Sequence, residues 1–166
     1  NEQGEIQPEL AQSCESSADG MTYRFILREG LKWSDGVALT AEDVVYSWNC
    51  AVAAGKVPGI EFVQEARVED EKTVKITLNQ PYAYFFQLCA SPMLGTVRQY
   101  ASYTLGEYAV SGAYIPVERR GDMLICRKNS AYWNAADVIC ENLELMVDAG
   151  EQQAYEAFEA GRLEYT

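Results

Sequence analysis

The sequence predicts a mixed α/β fold, and three observations carry that expectation. MTYRFILR (21–28) alternates apolar and polar side chains, LTAEDVVYSW (39–48) opens a helix with its own capping residues, and TVKITL (73–78) alternates again. Strand period and helix period therefore follow each other within one stretch of chain.

Residues 1–20 are polar, contain Pro8 and close on Asp19-Gly20, so they read as an extended lead-in and a turn. In 21–28, Tyr23, Phe25 and Leu27 share one side of a strand, while Thr22, Arg24, Ile26 and Arg28 share the other. Glu29-Gly30 ends it, and Trp33 leads into Ser34-Asp35-Gly36, where glycine can take the positive φ of a tight turn. Thr40 is placed to cap the next helix, with Asp43 three residues on, where a capping box normally has Glu or Gln. Leu39 and Val44 hold the hydrophobic-staple positions, and Glu42 and Asp43 suit the positive end of the helix dipole. The helix is expected from Ala41 to Ala54, stopping at Gly55, with Val44, Val45, Trp48 and Val52 as its apolar stripe. All of this punctuation serves architecture.

Residues 66–69 and 73–78 flank Asp70-Glu71-Lys72 in the pattern of a hairpin, with Val74, Ile76 and Leu78 on one face. Pro81 opens PYAYFFQLC, which reads as a short aromatic helix closed near Ser91-Pro92, because proline suits the first helical turn. Residues 95–110 show no clear period, so a change of domain is placed near residue 95. Beyond it, 111–117 and 123–127 read as strands joined by a charged turn over 118–122. Residues 129–137 read as a loop holding Tyr132 and Trp133, 139–147 as a further strand, and 151–160 as a helix ended by Gly161. In the strand over 139–147, Ile139, Glu141, Leu143, Leu145 and Val147 share a face.

The chain of 166 residues carries a net charge of -12, with 25 acidic and 13 basic residues distributed over both halves. A nucleic-acid partner needs a basic stripe, and an anionic membrane surface attracts one; this sequence offers neither. No apolar run approaches the ~20 residues of a spanning helix, and Asn1 follows no charged-then-apolar leader, so either the protein is cytosolic or a secretion signal has been removed. The absence of histidine removes the commonest general base and the commonest metal ligand. Cys14, Cys50, Cys89, Cys126 and Cys140 are widely spaced and odd in number, so no zinc site and no cofactor is expected, and the thiols are read as free and buried. Glu42 and Asp43 are accounted for by helix capping, Asp35 by its turn, and Glu69-Asp70-Glu71 by a solvated hairpin turn. Cys126, beside Arg127 and Lys128, is read as structural, and the aromatics Tyr82, Tyr84, Phe85 and Phe86 as core. The sequence therefore reads as that of a protein that is not an enzyme.

The order of these elements is informative. PELAQS (8–13), DGMTYRFILREGLKWSDG (19–36), LTAEDVVYSW (39–48), DEKTVKITLNQPYAYFFQL (70–88), VSGAY (110–114), RKNSAYWNA (127–135) and AFEAGRLEYT (157–166) resemble, in sequence order, the family 5 extracellular solute-binding proteins. These are the oligopeptide- and dipeptide-binding receptors of ABC importers. The resemblance implies a periplasmic-binding-protein-like fold, first lobe only, with mixed sheets flanked by helices. It makes 1–95 the smaller accessory domain of that lobe and 96–166 part of its main domain. It implies a peptide or other small solute as ligand, an ABC importer permease as partner of the longer protein, and an extracytoplasmic, lipid-anchored location. Ser91 and Met93, in the loop after the aromatic helix, would face the cleft between lobes. A ligand-sensing domain of the same fold in a regulatory protein is the alternative reading, and a hydrolase the remote one. The segment AVAAGKVPGIEF after the first helix is shorter than in many relatives.

Overall fold

Strand pairing organises the described residues into two antiparallel sheets, one built from residues 11–78 and one from 114–146. The computed structural model of the protein describes residues 5–99, 104–147 and 150–164. The readings above that touch 1–4, 100–103, 148–149 and 165–166 lie, in that part, outside the described residues.

The first sheet has the order β1 (Ala11–Ser16), β2 (Thr22–Leu27), β4 (Thr73–Leu78), β3 (Val63–Asp70). The alternation in β2 and β4 registers one against the other: Tyr23 lies opposite Ile76 and Phe25 opposite Val74, so their side chains share a face. Over that face runs α1 (Ala41–Ala54), followed later by the short α2 (Phe85–Cys89). Val74, Ile76, Leu78, Phe85 and Trp33 are each at most 1% exposed, which places the core between this sheet and the two helices.

The start and stop of α1 are those expected. Thr40 is extended, the capping box with Asp43 is present, and Gly55 takes φ 62° with its N–H bonded to the Ala51 carbonyl. The better-formed arm of the box is the Asp43 carboxylate, which accepts from the Thr40 N–H at 2.9 Å and from its hydroxyl at 3.2 Å. The buried stripe differs from the expected one. Ala41, Val44, Ser47, Trp48 and Ala51 are buried, while Val45 and Val52 are only half-buried at its margin. Small residues sit where the helix approaches the sheet, and apolarity alone did not single them out.

Five other expectations are corrected. The lead-in contains a strand: AQSCES forms β1 along the free edge of β2, with a bulge between Ala11 and Ser13. The aromatic helix begins at Phe85, after a turn closed by the Phe85 N–H on the Tyr82 carbonyl at 3.1 Å. In the second sheet, β5 (Tyr114–Arg120) starts and ends later than expected and β6 (Met123–Lys128) runs slightly further, leaving Gly121, at φ 62°, and Asp122 as a tight turn. The third strand, β7 (Asn142–Met146), starts later than expected, so Ile139 precedes it and stands 92% exposed. Helix α3 (Glu151–Glu159) follows, closed as expected by Gly161 at φ 67°. The five thiols are free, but only Cys126 is buried; Cys14 and Cys89 are half-buried, and Cys50 and Cys140 are exposed on α1 and before β7. Cys50 faces away from the buried stripe of α1, which explains its exposure.

Candidate functional site

The segment after α2 is shaped by local chemistry. Ser91 is extended and its Oγ accepts from the Met93 N–H at 3.4 Å, starting the short helical turn Pro92–Leu94 with proline in its first turn. Leu94 is buried beneath that turn, whereas Met93 stands 59% exposed on its outer side. The chain then crosses α1, where Ser47 provides its partner. Ser47 Oγ accepts from the Val97 N–H at 2.8 Å and lies 3.2 Å from the Val97 carbonyl and 2.8 Å from the Asp43 carbonyl. One step further, the Arg98 guanidinium pairs with the Asp35 carboxylate. On the far side of residues 100–103, Ser34 donates from its backbone to the Val110 carbonyl and accepts the Val110 N–H on its hydroxyl at 3.1 Å.

The second sheet is tied in by Asn129, a residue with no exposure. Its side-chain amide donates to the Gly112 carbonyl at 2.8 Å, its Oδ1 accepts from Ala131, and its backbone N–H reaches Ala113. A buried amide needs such partners on both its nitrogen and its oxygen. The loop after Asn129 meets the N-terminal segment. Glu9 Oε1 accepts from the Tyr132 hydroxyl at 2.6 Å and from the Trp133 indole at 3.1 Å. The Arg28 guanidinium lies 3.7 Å from the centre of the Trp133 ring and donates to the Glu9 carbonyl at 2.7 Å. Burial, then the hydrogen bond to Glu9, pushes the Tyr132 phenol up to about 12.

Between these ties lies a cavity of about 880 Å³, floored by the sheet at Phe25 and Ile76 and flanked by Trp48 of α1 and Phe86 of α2. Ser91 lines it; Met93 does not. The loop that holds both residues thus has Ser91 beside the cavity and Met93 on its solvent side. The aromatic run divides in the same way. Phe85 stacks on Tyr23 at 4.0 Å in the core, Phe86 meets Tyr23 edge-on at 5.7 Å, Tyr82 packs on Phe62 at 4.6 Å, and Tyr84 is 64% exposed. Tyr82 also lies over Gly59, whose φ of 91° favours glycine and where an added Cβ would come within 2.8 Å of the Tyr82 hydroxyl. Among the described residues no cluster of three or more His, Cys, Asp or Glu side chains is placed to hold a metal. Among them, too, no helix is long and apolar enough to cross a membrane.

Ser34, Ser47, Asn129 and Glu9 carry the connections around this site, and sequence reasoning passed over all four as binding partners. Nothing local marks them, since each bonds to a segment distant in the sequence.

With the geometry in place, comparison with known proteins is decisive. The family profile described as bacterial extracellular solute-binding proteins, family 5 middle, matches residues 5–166. The chain belongs to that family of solute-binding proteins. It is 30% identical to the probable deoxycholate-binding periplasmic protein YgiS of Escherichia coli over 99% of this chain and 36% of that one. It is 26% identical to the periplasmic oligopeptide-binding protein OppA of the same organism over 98% of this chain and 35% of that one. In structure it is similar to the periplasmic murein tripeptide-binding protein MppA in its unliganded open form. The TM-score is 0.87 at 26% identity, over 98% of this chain and 37% of that one. The chain spans little more than a third of the length of these relatives.

Proposed function

We propose that the chain is the first-lobe part of an extracytoplasmic receptor that captures a peptide or similar small solute and delivers it to an ABC importer permease. The observation that carries this reading is family membership across residues 5–166. Residues 1–95 form its smaller accessory domain and 96–166 part of its main domain; the separation of the two sheets along the chain supports that division. Ser91 and Met93 lie at the edge that faces the ligand cleft, Met93 offering an exposed, adaptable apolar contact. Such a receptor works by enclosure and turns nothing over, so it needs no catalytic base. Its solute class extends past peptides, as the relative named for deoxycholate binding illustrates. A ligand-sensing domain of a regulatory protein is the other use of the same fold.

With one wall only, a peptide buries part of its surface and still loses its freedom, at a cost of several kcal/mol. Calorimetry against a mixed library of short peptides should therefore give this chain no affinity tighter than about millimolar, roughly -4 kcal/mol. The full-length gene product should bind far more tightly. Micromolar binding by residues 1–166 alone would overturn the division of labour between lobes.

A further inference from the structure

The cavity beneath Ser91 has a chemistry of its own. Its volume of about 880 Å³ falls in the range of small-molecule pockets. Floor and flanks are apolar: Phe25, Leu27 and Ile76 from the sheet, Trp48 from α1, Phe86 from α2, and Leu94 beyond it. Its polar residues include Gln87, Ser91, Thr96 and Ser111, from α2 and the segments after it. Among the described residues no lysine or arginine lines it, and the one acidic residue there, Glu9, already has Oε1 engaged by Tyr132 and Trp133. Cys14 and Cys89 both reach it, and burial holds these thiols protonated, pushed up to about 11 and about 12. A charged group entering this space would lose its water and gain no counter-charge.

The cavity is also closed on one side by chain that is fastened down. Residues 6–11 line it, and Arg28 holds that strap through its N–H to the Leu10 carbonyl at 3.0 Å and its guanidinium to the Glu9 carbonyl. Tyr132 and Trp133 hold the Glu9 side chain from the other module.

We propose that this cavity is a binding site for an uncharged apolar group, the aromatic or branched aliphatic body of a small molecule, and that residues 6–11 form a strap over it secured through Glu9. The inference goes beyond the receptor reading and does not depend on it.

The 166-residue chain provides its own reporters. Cys14 and Cys89 line the cavity, while Cys50 and Cys140 are exposed elsewhere. Nile red, an uncharged apolar dye, should bind saturably. Its presence should slow alkylation of Cys14 and Cys89 by iodoacetamide at about pH 9, where long exposure lets even these raised thiols react through their small thiolate fraction, followed by peptide mass spectrometry, with Cys50 and Cys140 unaffected. Ala90→Trp places an indole at the cavity wall and should weaken the dye by roughly tenfold or more. Glu9→Ala, which unfastens the strap, should speed dye dissociation. Dye binding that leaves Cys14 and Cys89 unprotected, or no saturable binding, overturns the site. An unchanged dissociation rate in Glu9→Ala overturns the strap. Thiol protection in the unaltered chain decides the first point even if Ala90→Trp fails to fold. Peptide binding by the full-length gene product reads out the receptor function separately.

Discussion

Glu9 and Trp133 are 124 positions apart and meet directly, the indole N–H donating to the Glu9 carboxylate at 3.1 Å. That bond joins the lead-in of the first sheet to the loop that follows β6. Tyr132 shares the same oxygen, and Arg28 covers the Trp133 ring. Because Glu9 is exposed and the two rings are only half-buried, each bond contributes modestly, about 1 kcal/mol. Glu9→Ala and Trp133→Ala should therefore each destabilise by about that amount or a little more, and the double variant by less than the sum. Strictly additive costs in denaturant unfolding would show that the two do not act together.

Alkaline pH tests the same cluster. The Tyr132 phenol sits up to about 12, by burial first and then the bond to Glu9, against ~10 for tyrosine in an unfolded chain. A raised folded value stabilises fully below the unfolded one and is lost as pH rises through the folded one. Cys14 and Cys89, raised by burial from 9.0 to about 11 and about 12, act with the same sign from a lower starting pH. The unfolding midpoint should therefore fall between about pH 9 and 12. Tyr132→Phe should lower stability at neutral pH yet flatten the upper part of that fall. A slope unaltered by Tyr132→Phe would remove the phenol from the account.

The cap of α1 rests on Asp43 more than on Thr40, since the carboxylate accepts both bonds. Thr40→Ala should cost about 1 kcal/mol and Asp43→Ala at least as much. A stability change indistinguishable from zero in both would mean the helix start is set by packing alone.

Ser47 is 5% exposed and serves both the N–H and the carbonyl of Val97. Ser47→Ala leaves that N–H without its partner and should cost roughly 1–3 kcal/mol. Hydrogen exchange at the Val97 amide should accelerate by more than at amides of the first sheet. Equal acceleration everywhere would point to global destabilisation only.

Neighbouring phenylalanines should behave differently. Phe85 is 1% exposed among Tyr23, Phe25 and Trp48, so Phe85→Ala should cost about 3–5 kcal/mol. Phe86, 43% exposed, should cost far less when truncated. Similar costs would contradict the assignment of Phe85 alone to the core.

The sequence by itself determined the elements whose signals are local. The α1 boundaries followed from Thr40, Asp43 and Gly55, the β3–β4 hairpin from its polar turn, and the inner face of β2 from its alternation. The order of motifs along the chain also points to the family. Tertiary structure decided what depends on a distant partner. AQSCES has no strand pattern and becomes β1 because the edge of β2 offers backbone groups to pair with. Ser47 finds Val97 50 residues away, Ser34 finds Val110 76 away, and Glu9 finds Tyr132 123 away. Ser91 and Met93 share one loop, and only the packing around its helical turn leaves Ser91 beside the cavity and Met93 exposed. A polar side chain must be satisfied once buried, but its partner is chosen by how the chain returns, and that return is fixed only when the sheets and helices have packed.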